Sequence, residues 1–267
     1  GSQAGKGGTT SAPYSSGQNN TAVGYNALTA FTTGFANVAL GKEALKSLST
    51  GTLNVAIGNS ALYSETGADT TIAIGQSALY SQNVTYGVDS KNVGIGYLAS
   101  YYNVTGVGNI SIGYEAMKGV SGNSHSNNTA LGYRSLYGIT TGGDNIAIGY
   151  EAARSLTTSN MVIAIGHSAA YSFTGARGYG VYIGRMAGYS ETGAYNDTML
   201  GNDAGYYQNM GGAGETYSWN TFLGYRAGYN NVSGKSNTYV GNEAGISRGG
   251  ASNVAVGADA LFGGGAG

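Results

Sequence analysis

The sequence predicts an all-β fold, a repetitive parallel β-roll or β-solenoid of about fourteen rungs. Three observations carry this reading. The phrase aliphatic, Gly, two variable residues and a small residue recurs fourteen times, from Gly24 to Gly257. Most copies lie 17 residues apart, with exceptions from 16 to 23, and a unit so short can bury a core only by stacking on its neighbours. Residues just before each glycine are strand formers spaced by two, so they share one face. Glycine is plentiful at 49 of 267 residues and charged residues few at 9%, with a single proline, which excludes collagen.

Counting each repeat glycine as position zero, the rung can be read in order. Position −4 is Asn in ten rungs, as in Asn20, Asn37, Asn145 and Asn253, a turn former whose amide can stack into a ladder. Position −3 is always Val, Ile or Thr. Position −1 is always a branched aliphatic: Val23, Leu40, Ile57, Ile74, Ile95, Ile112, Leu131, Ile148, Ile165, Ile183, Leu200, Leu223, Val240 and Val256. A short strand is expected there, then a glycine-led turn, a second short strand and a Thr-Gly loop such as Thr33-Gly34 or Thr50-Gly51. Helices do not fit between two glycine-bearing turns.

Position −2 shows which face is inside. It is small in most rungs, but Tyr182, Met199, Phe222 and Tyr239 occupy it in four. Those same four rungs carry Gly188, Gly205, Gly228 and Gly245 at +4, where many others carry Leu or Met. Volume traded in this way means that −2 and +4 share one packed interior. Position +3 is Ala in thirteen rungs and Ser135 in the other, where two backbones are expected to approach. The −1 and −3 stripe then points outward, and it is larger than a soluble monomer tolerates. Copies of the chain around an axis would cover it most simply, so the fourteen −1 residues are the expected self-interface.

The phrase Asn-Thr-Ala-Val-Gly-Tyr-Asn-Ala-Leu at 20–28, and copies such as Asn-Val-Ala-Ile-Gly-Asn-Ser-Ala-Leu at 54–62, resemble the head repeats of trimeric autotransporter adhesins. Similar repeats occur in bacteriophage tail fibres. The resemblance covers residues 20–262 and implies a left-handed roll and a homotrimer. Two departures stand out. The adhesin repeat is nearer 14 residues than 17, and this sequence shows no anchoring barrel, coiled-coil stalk or secretion signal. The Tyr-rich, Thr-Gly-linked form here is more similar to the fibre proteins.

Candidate sites follow from the same register. Tyrosine numbers 23, many at +1 or +5, where stacking would give ladders that either adhere to a glycan or protein or simply stiffen the coil. Three rungs carry longer loops, 76–92, 114–128 and 202–220. The last holds Tyr206, Tyr207, Met210, Tyr217 and Trp219, the only tryptophan; Tyr206, Tyr207, Tyr217 and Trp219 are the candidate receptor contact, against the alternative of an insertion packed on its own coil. His125 and His167 form no metal motif, and His167 reads as an exposed turn residue. Acids gather at +2 (Glu43, Glu115, Glu151, Asp203, Glu243, Asp259), where stacked like charges suit solvent or a loosely held cation. No glycine run closes as a phosphate loop. Asn83 and Asn103 begin glycosylation sequons that matter only in a eukaryotic secretory setting.

The expectation is a non-enzymatic fibre segment with no catalytic residue, cofactor or metal. A net charge of −1 gives no electrostatic reason for a nucleic-acid partner, and no apolar run is long enough for membrane insertion. Without cysteine there are no disulfides. Residues 1–19 read as a Gly/Ser-rich linker, 20–262 as the repeat domain and 263–267 as a Gly-rich tail. Fourteen rungs at about 4.8 Å would span roughly 65 Å. We expect one internal stretch of a longer phage tail fibre in the virion, binding itself, neighbouring fibre domains and a bacterial surface glycan or outer-membrane protein. The alternatives are the head of a cell-surface adhesin and an ice-binding solenoid; Thr at −3 in only five rungs argues against the latter.

Overall fold

A computed structural model describes residues 1–7, 17–175, 178–209, 216–247 and 250–262. Residues 8–16 of the leading segment, 210–215 of the longest loop (Met210 among them) and the tail 263–267 lie outside the described residues. The chain divides into two compact units, Gly1–Leu131 and Gly132–Gly267. Each is a parallel β-solenoid, and no helix occurs among the described residues.

Unit 1 stacks seven strands in sequence order: β1 (Thr21–Val23), β2 (Val38–Leu40), β3 (Val55–Ile57), β4 (Ile72–Ile74), β5 (Val93–Ile95), β6 (Ile110–Ile112) and β7 (Thr129–Leu131). Unit 2 does the same with β8 (Ile146–Ile148), β9 (Ile163–Ile165), β10 (Val181–Ile183), β12 (Thr198–Leu200), β14 (Thr221–Leu223), β15 (Thr238–Val240) and β16 (Val254–Val256). Two extra short strands, β11 (Ala194–Tyr195) and β13 (Thr216–Tyr217), pair beside its long loop. Register never slips: Val38 pairs with Val55, Ala39 with Ala56 and Leu40 with Ile57. Like therefore stacks on like at each position of the rung.

The expected second strand is absent, and its place is taken by a turn. Positions +2 and +4 both sit in the left-handed region, as at Glu43 (φ 58°) and Leu45 (φ 49°), which breaks the alternation a strand requires. The turn still bonds from rung to rung. The Glu43 amide donates back to the Tyr25 carbonyl at 2.8 Å, and the Leu28 amide donates forward to the Ala44 carbonyl at 3.0 Å. The repeat glycine begins this turn: Gly58 has φ 136°, and a Cβ there would run into the Gly75 carbonyl of the next rung.

Residues 1–5 also depart from the expected linker. Gly1-Ser2-Gln3-Ala4-Gly5 follows the turn half of a rung: the Asn26 amide donates to the Ser2 carbonyl at 3.2 Å, and the Gly5 amide donates to the Ala27 carbonyl at 3.0 Å. The Ala at the third step after Gly1 was the legible sign.

Inside, −2, +3 and +4 form the buried core, including Ala39, Ala44, Leu45, Ala56, Ala61 and Leu62. Where +4 is glycine, the large side chain at −2 fills its place. A Cβ on Gly228 would lie 2.5 Å from the Phe222 ring, and Gly188 and Gly245 face Tyr182 and Tyr239 in the same way. Position +7 is a further interior column, with Leu48, Ile139, Leu156 and Phe173 fully buried. Outside, the −1 and −3 stripe is exposed or half-buried along each unit, as at Leu40 (45%) and Leu223 (42%).

Candidate functional site

Two of the long loops, 76–92 and 202–220, rise from rungs whose interior changes character. Where Asn stands at −4 on successive rungs, the side chains form the expected ladder. Asn37 Oδ1 accepts from the Asn54 amide at 3.0 Å and from Asn54 Nδ2 at 3.1 Å, while Asn54 Nδ2 also donates to the Ala68 carbonyl at 2.9 Å. At the rungs that begin the 76–92 and 202–220 loops the ladder residue differs, Thr71 in unit 1 and Asp197 in unit 2, whereas the rung that begins 114–128 keeps Asn109. Around the Thr71 and Asp197 rungs the +7 column turns polar, with Glu65, Gln82 and Asn103 in unit 1 and Glu191, Gln208 and Asn231 in unit 2, all fully buried.

These side chains hold the loop. Glu65 Oε1 accepts from the Thr66, Gly67 and Ala68 amides at 2.8–2.9 Å. Its Oε2 accepts from the Val84 amide at 3.1 Å, inside the 76–92 loop, and from Gln82 Nε2 at 3.3 Å. Gln82 Oε1 then accepts from Asn92 Nδ2 at 2.8 Å, carrying the ladder across its break. Unit 2 repeats the device: the Gly193 amide donates to Glu191 Oε1 at 2.8 Å, and Asn220 Nδ2 donates to Gln208 Oε1 at 3.0 Å. Gln208 Nε2 also donates to Asp197. Burial pushes the Asp197 carboxyl up to about 7, and the nearby Glu191 adds to it, against hydrogen bonds from Ser218, the Asn220 backbone and Gln208. A buried acid is tolerable only with partners of this kind.

The glycine phrase, as at 20–28, ends at +4 and leaves the +7 column outside it. The signal was present. Tyr63-Ser64-Glu65-Thr66-Gly67-Ala68 returns seven rungs later as Tyr189-Ser190-Glu191-Thr192-Gly193-Ala194.

The tyrosine columns do stack. Tyr63, Tyr80 and Tyr101 lie 4.9 and 5.0 Å apart, and Tyr171, Tyr189, Tyr206 and Tyr229 lie 5.0–5.3 Å apart, with ring planes within 24°. Each inner ring thus spends both faces on its neighbours and shows solvent only its edge. Arg154 lies between two such rings, 5.4 Å from the Tyr137 centroid and 5.5 Å from that of Tyr171. This arrangement stiffens the coil and offers no flat platform along the inner rings.

The four loop aromatics fall in two places. Tyr206 belongs to the +5 column, with exposed Tyr207 edge-on at 4.7 Å. Tyr217 and Trp219 stack on each other at 4.9 Å and 8°, on the stretch leading into β14. Trp219 is 55% exposed and Tyr217 41%.

Five of the six acids expected at +2 to suit solvent or a loosely held cation meet basic side chains instead. Glu43, Glu115 and Glu151 each pair within their own rung, with Lys46 at 2.9 Å, Lys118 at 2.8 Å and Arg154 at 3.1 Å. Asp203 meets Arg185 at 2.9 Å, and Glu243 meets Arg226 at 3.6 Å. In the first three the turn brings +5 over +2, so a cation there neutralises the acid, while Arg185 at +1 and Arg226 at +2 reach acids on the next rung. Among the described residues no three His, Cys, Asp or Glu cluster as a metal site. His167 is exposed and stacks on Tyr150 at 4.9 Å. His125 is buried: its backbone amide donates to Asn103 Oδ1 at 3.2 Å, Nδ1 lies 3.4 Å from Asn109 Oδ1, and burial lowers its pKa to about 4.

Taken together, these features define a β-solenoid repeat protein whose side loops are anchored by buried polar clusters. Compared with known proteins, the chain matches no family model, no curated protein and no solved structure.

Proposed function

We propose that this chain is a structural and receptor-binding segment of a trimeric phage tail fibre, attaching a virion to a bacterial cell surface. The observation that carries the reading is the aliphatic stripe at −1 and −3, which runs along the outer face of each unit and is left open to solvent by a single chain. Each such side chain gains about 1.5–3 kcal/mol on full burial, so its repetition rung after rung strongly favours self-association. Copies of the same stripe are the simplest partner, because a repeat in register with itself meets equal spacing. A solenoid of near-identical rungs extends reach, and its loops present contacts. Tyr206, Tyr207, Tyr217 and Trp219 are the proposed receptor contacts, toward a surface glycan or an outer-membrane protein. The segment acts without catalysis or cofactor, between neighbouring fibre domains.

Light scattering tests the assembly. The expected mass is three times the 26.9 kDa chain. Ile57→Asp or Ile148→Asp should block assembly, because an unpaired charge would be buried in every copy. A stable monomer of wild-type chain overturns the reading.

A further inference from the structure

The stretch before β14 has an equivalent in unit 1. Asp89-Ser90-Lys91-Asn92 leads from the first long loop into β5, and Tyr217-Ser218-Trp219-Asn220 leads from the last into β14. The backbones correspond. Asp89 bridges Asp69 in parallel as Tyr217 bridges Tyr195, and the third residue is left-handed in both, with φ 51° at Lys91 and 48° at Trp219. The inward residues, Ser and Asn, are the same and fully buried in both units. Only the outward pair differs: an acid and a base in unit 1, two aromatic rings in unit 2.

Within this four-residue stretch the difference is confined to the outward positions. Unit 1 shows that the same backbone conformation accepts Asp and Lys there. The cost of Tyr and Trp is exposed apolar surface. Their geometry also sets them apart from the tyrosine columns. Trp219 gives one face to Tyr217 and, with 55% of its surface open, presents the other to solvent. No charged side chain lies from Thr216 to Leu223.

We infer that Tyr217 and Trp219 form a carbohydrate-binding platform on which a hexopyranose unit of a surface polysaccharide stacks. This rests on the receptor-contact reading above and names its ligand class. A pyranose ring has an apolar face of axial C–H groups and a rim of hydroxyls, so it fits a flat, uncharged aromatic face. The indole supplies the broadest such face. The exposed Asn196 and Ser236, at the equivalent position of the rungs on either side, supply neutral hydrogen-bonding groups along the same column.

Because Trp219 is the only tryptophan, its emission reports on this site alone. We would titrate the full chain with dextran, cellohexaose and chitohexaose. A saturable change in emission with at least one of them is expected. Tyr217→Asp, which installs the unit 1 residue, should weaken that binding about tenfold. Trp219→Lys should abolish retardation in an affinity gel containing the same sugar, with an unchanged thermal melt. A flat titration with all three sugars, or retardation that survives Trp219→Lys, overturns the platform. Threefold mass with a flat titration rejects the glycan site and spares the fibre assignment; monomeric mass with saturable binding does the reverse.

Discussion

Unit 1 fills its interior from the turn, and unit 2 fills much of its interior from the strand. In unit 1 the large core residues are Leu28, Leu45, Leu62, Leu79 and Met117 at +4, opposite Ala or smaller groups on the strands. In four rungs of unit 2 they are Tyr182, Met199, Phe222 and Tyr239 on the strands themselves, opposite glycines, while Leu136 keeps the turn arrangement. The same coil is therefore packed to density in two opposite ways. The backbone fixes the space, and what is specified is the summed volume rather than its source. The two solutions are not equal in strain. Leu62 is held at φ 51°, where a side chain costs energy, whereas Gly228 takes φ 63° freely.

That contrast can be broken directly. Gly228→Leu places the unit 1 residue in a unit 2 rung and should destabilise by about 3 kcal/mol through overpacking and left-handed strain. Adding Phe222→Ala should recover most of the loss, since the pair then matches Ala56 and Leu62. Chemical denaturation of both single variants and the double one measures the coupling. Additive losses would mean that the two positions do not share a space.

Acid should shift the stabilities of the two units in opposite directions. Asp197, raised to about 7, is protonated in folded unit 2 at a pH where the unfolded chain is ionised. Its contribution to stability is thus largest below about pH 4 and is lost as pH rises toward 7. His125, lowered to about 4, stays neutral in folded unit 1 while the unfolded chain takes up a proton below about 6.5. Its contribution is present above that value and falls as pH drops to 4. Between pH 7 and pH 5 each effect amounts to about 2 kcal/mol, with opposite sign. Hydrogen exchange compared at the two pH values should show unit 1 peptides losing protection and unit 2 peptides gaining it. His125→Asn and Asp197→Asn should each flatten the response of their own unit.

The smallest difference lies on the surface. Unit 2 places Arg154 within a tyrosine column, and unit 1 places Lys46 at its end, 5.0 Å from the Tyr63 centroid. The Lys46 ammonium also donates to the Tyr63 hydroxyl at 3.0 Å, which with Glu43 holds its pKa above the ordinary value. Arg154→Ala should cost at most about 1 kcal/mol and Lys46→Ala less, because the guanidinium meets two rings and the ammonium one. Melting temperatures that order them the other way would refute the sandwich argument.

The sequence by itself determined the repeat, the strand at −3 to −1, the face that turns inward and the trade between −2 and +4. Each of these is local or recurs at one period, so a single count from the glycine exposes it. The Asn ladder was legible for the same reason, since identical residues in register must stack. Other features were decided only by the tertiary structure. Nothing in Glu43 or Leu45 announces a left-handed conformation, because bonds to neighbouring rungs impose it, and that replaced the expected second strand with a turn. Nor does Glu65 read as buried. A carboxylate enters the interior only where Gln82 and four backbone amides converge on it, and that convergence exists once the coils are stacked. Tyr206 and Trp219 look alike in sequence, yet one spends both faces in a column and the other keeps a face free. Which faces remain open depends on what lies one rung away in space, and no count along the chain records that.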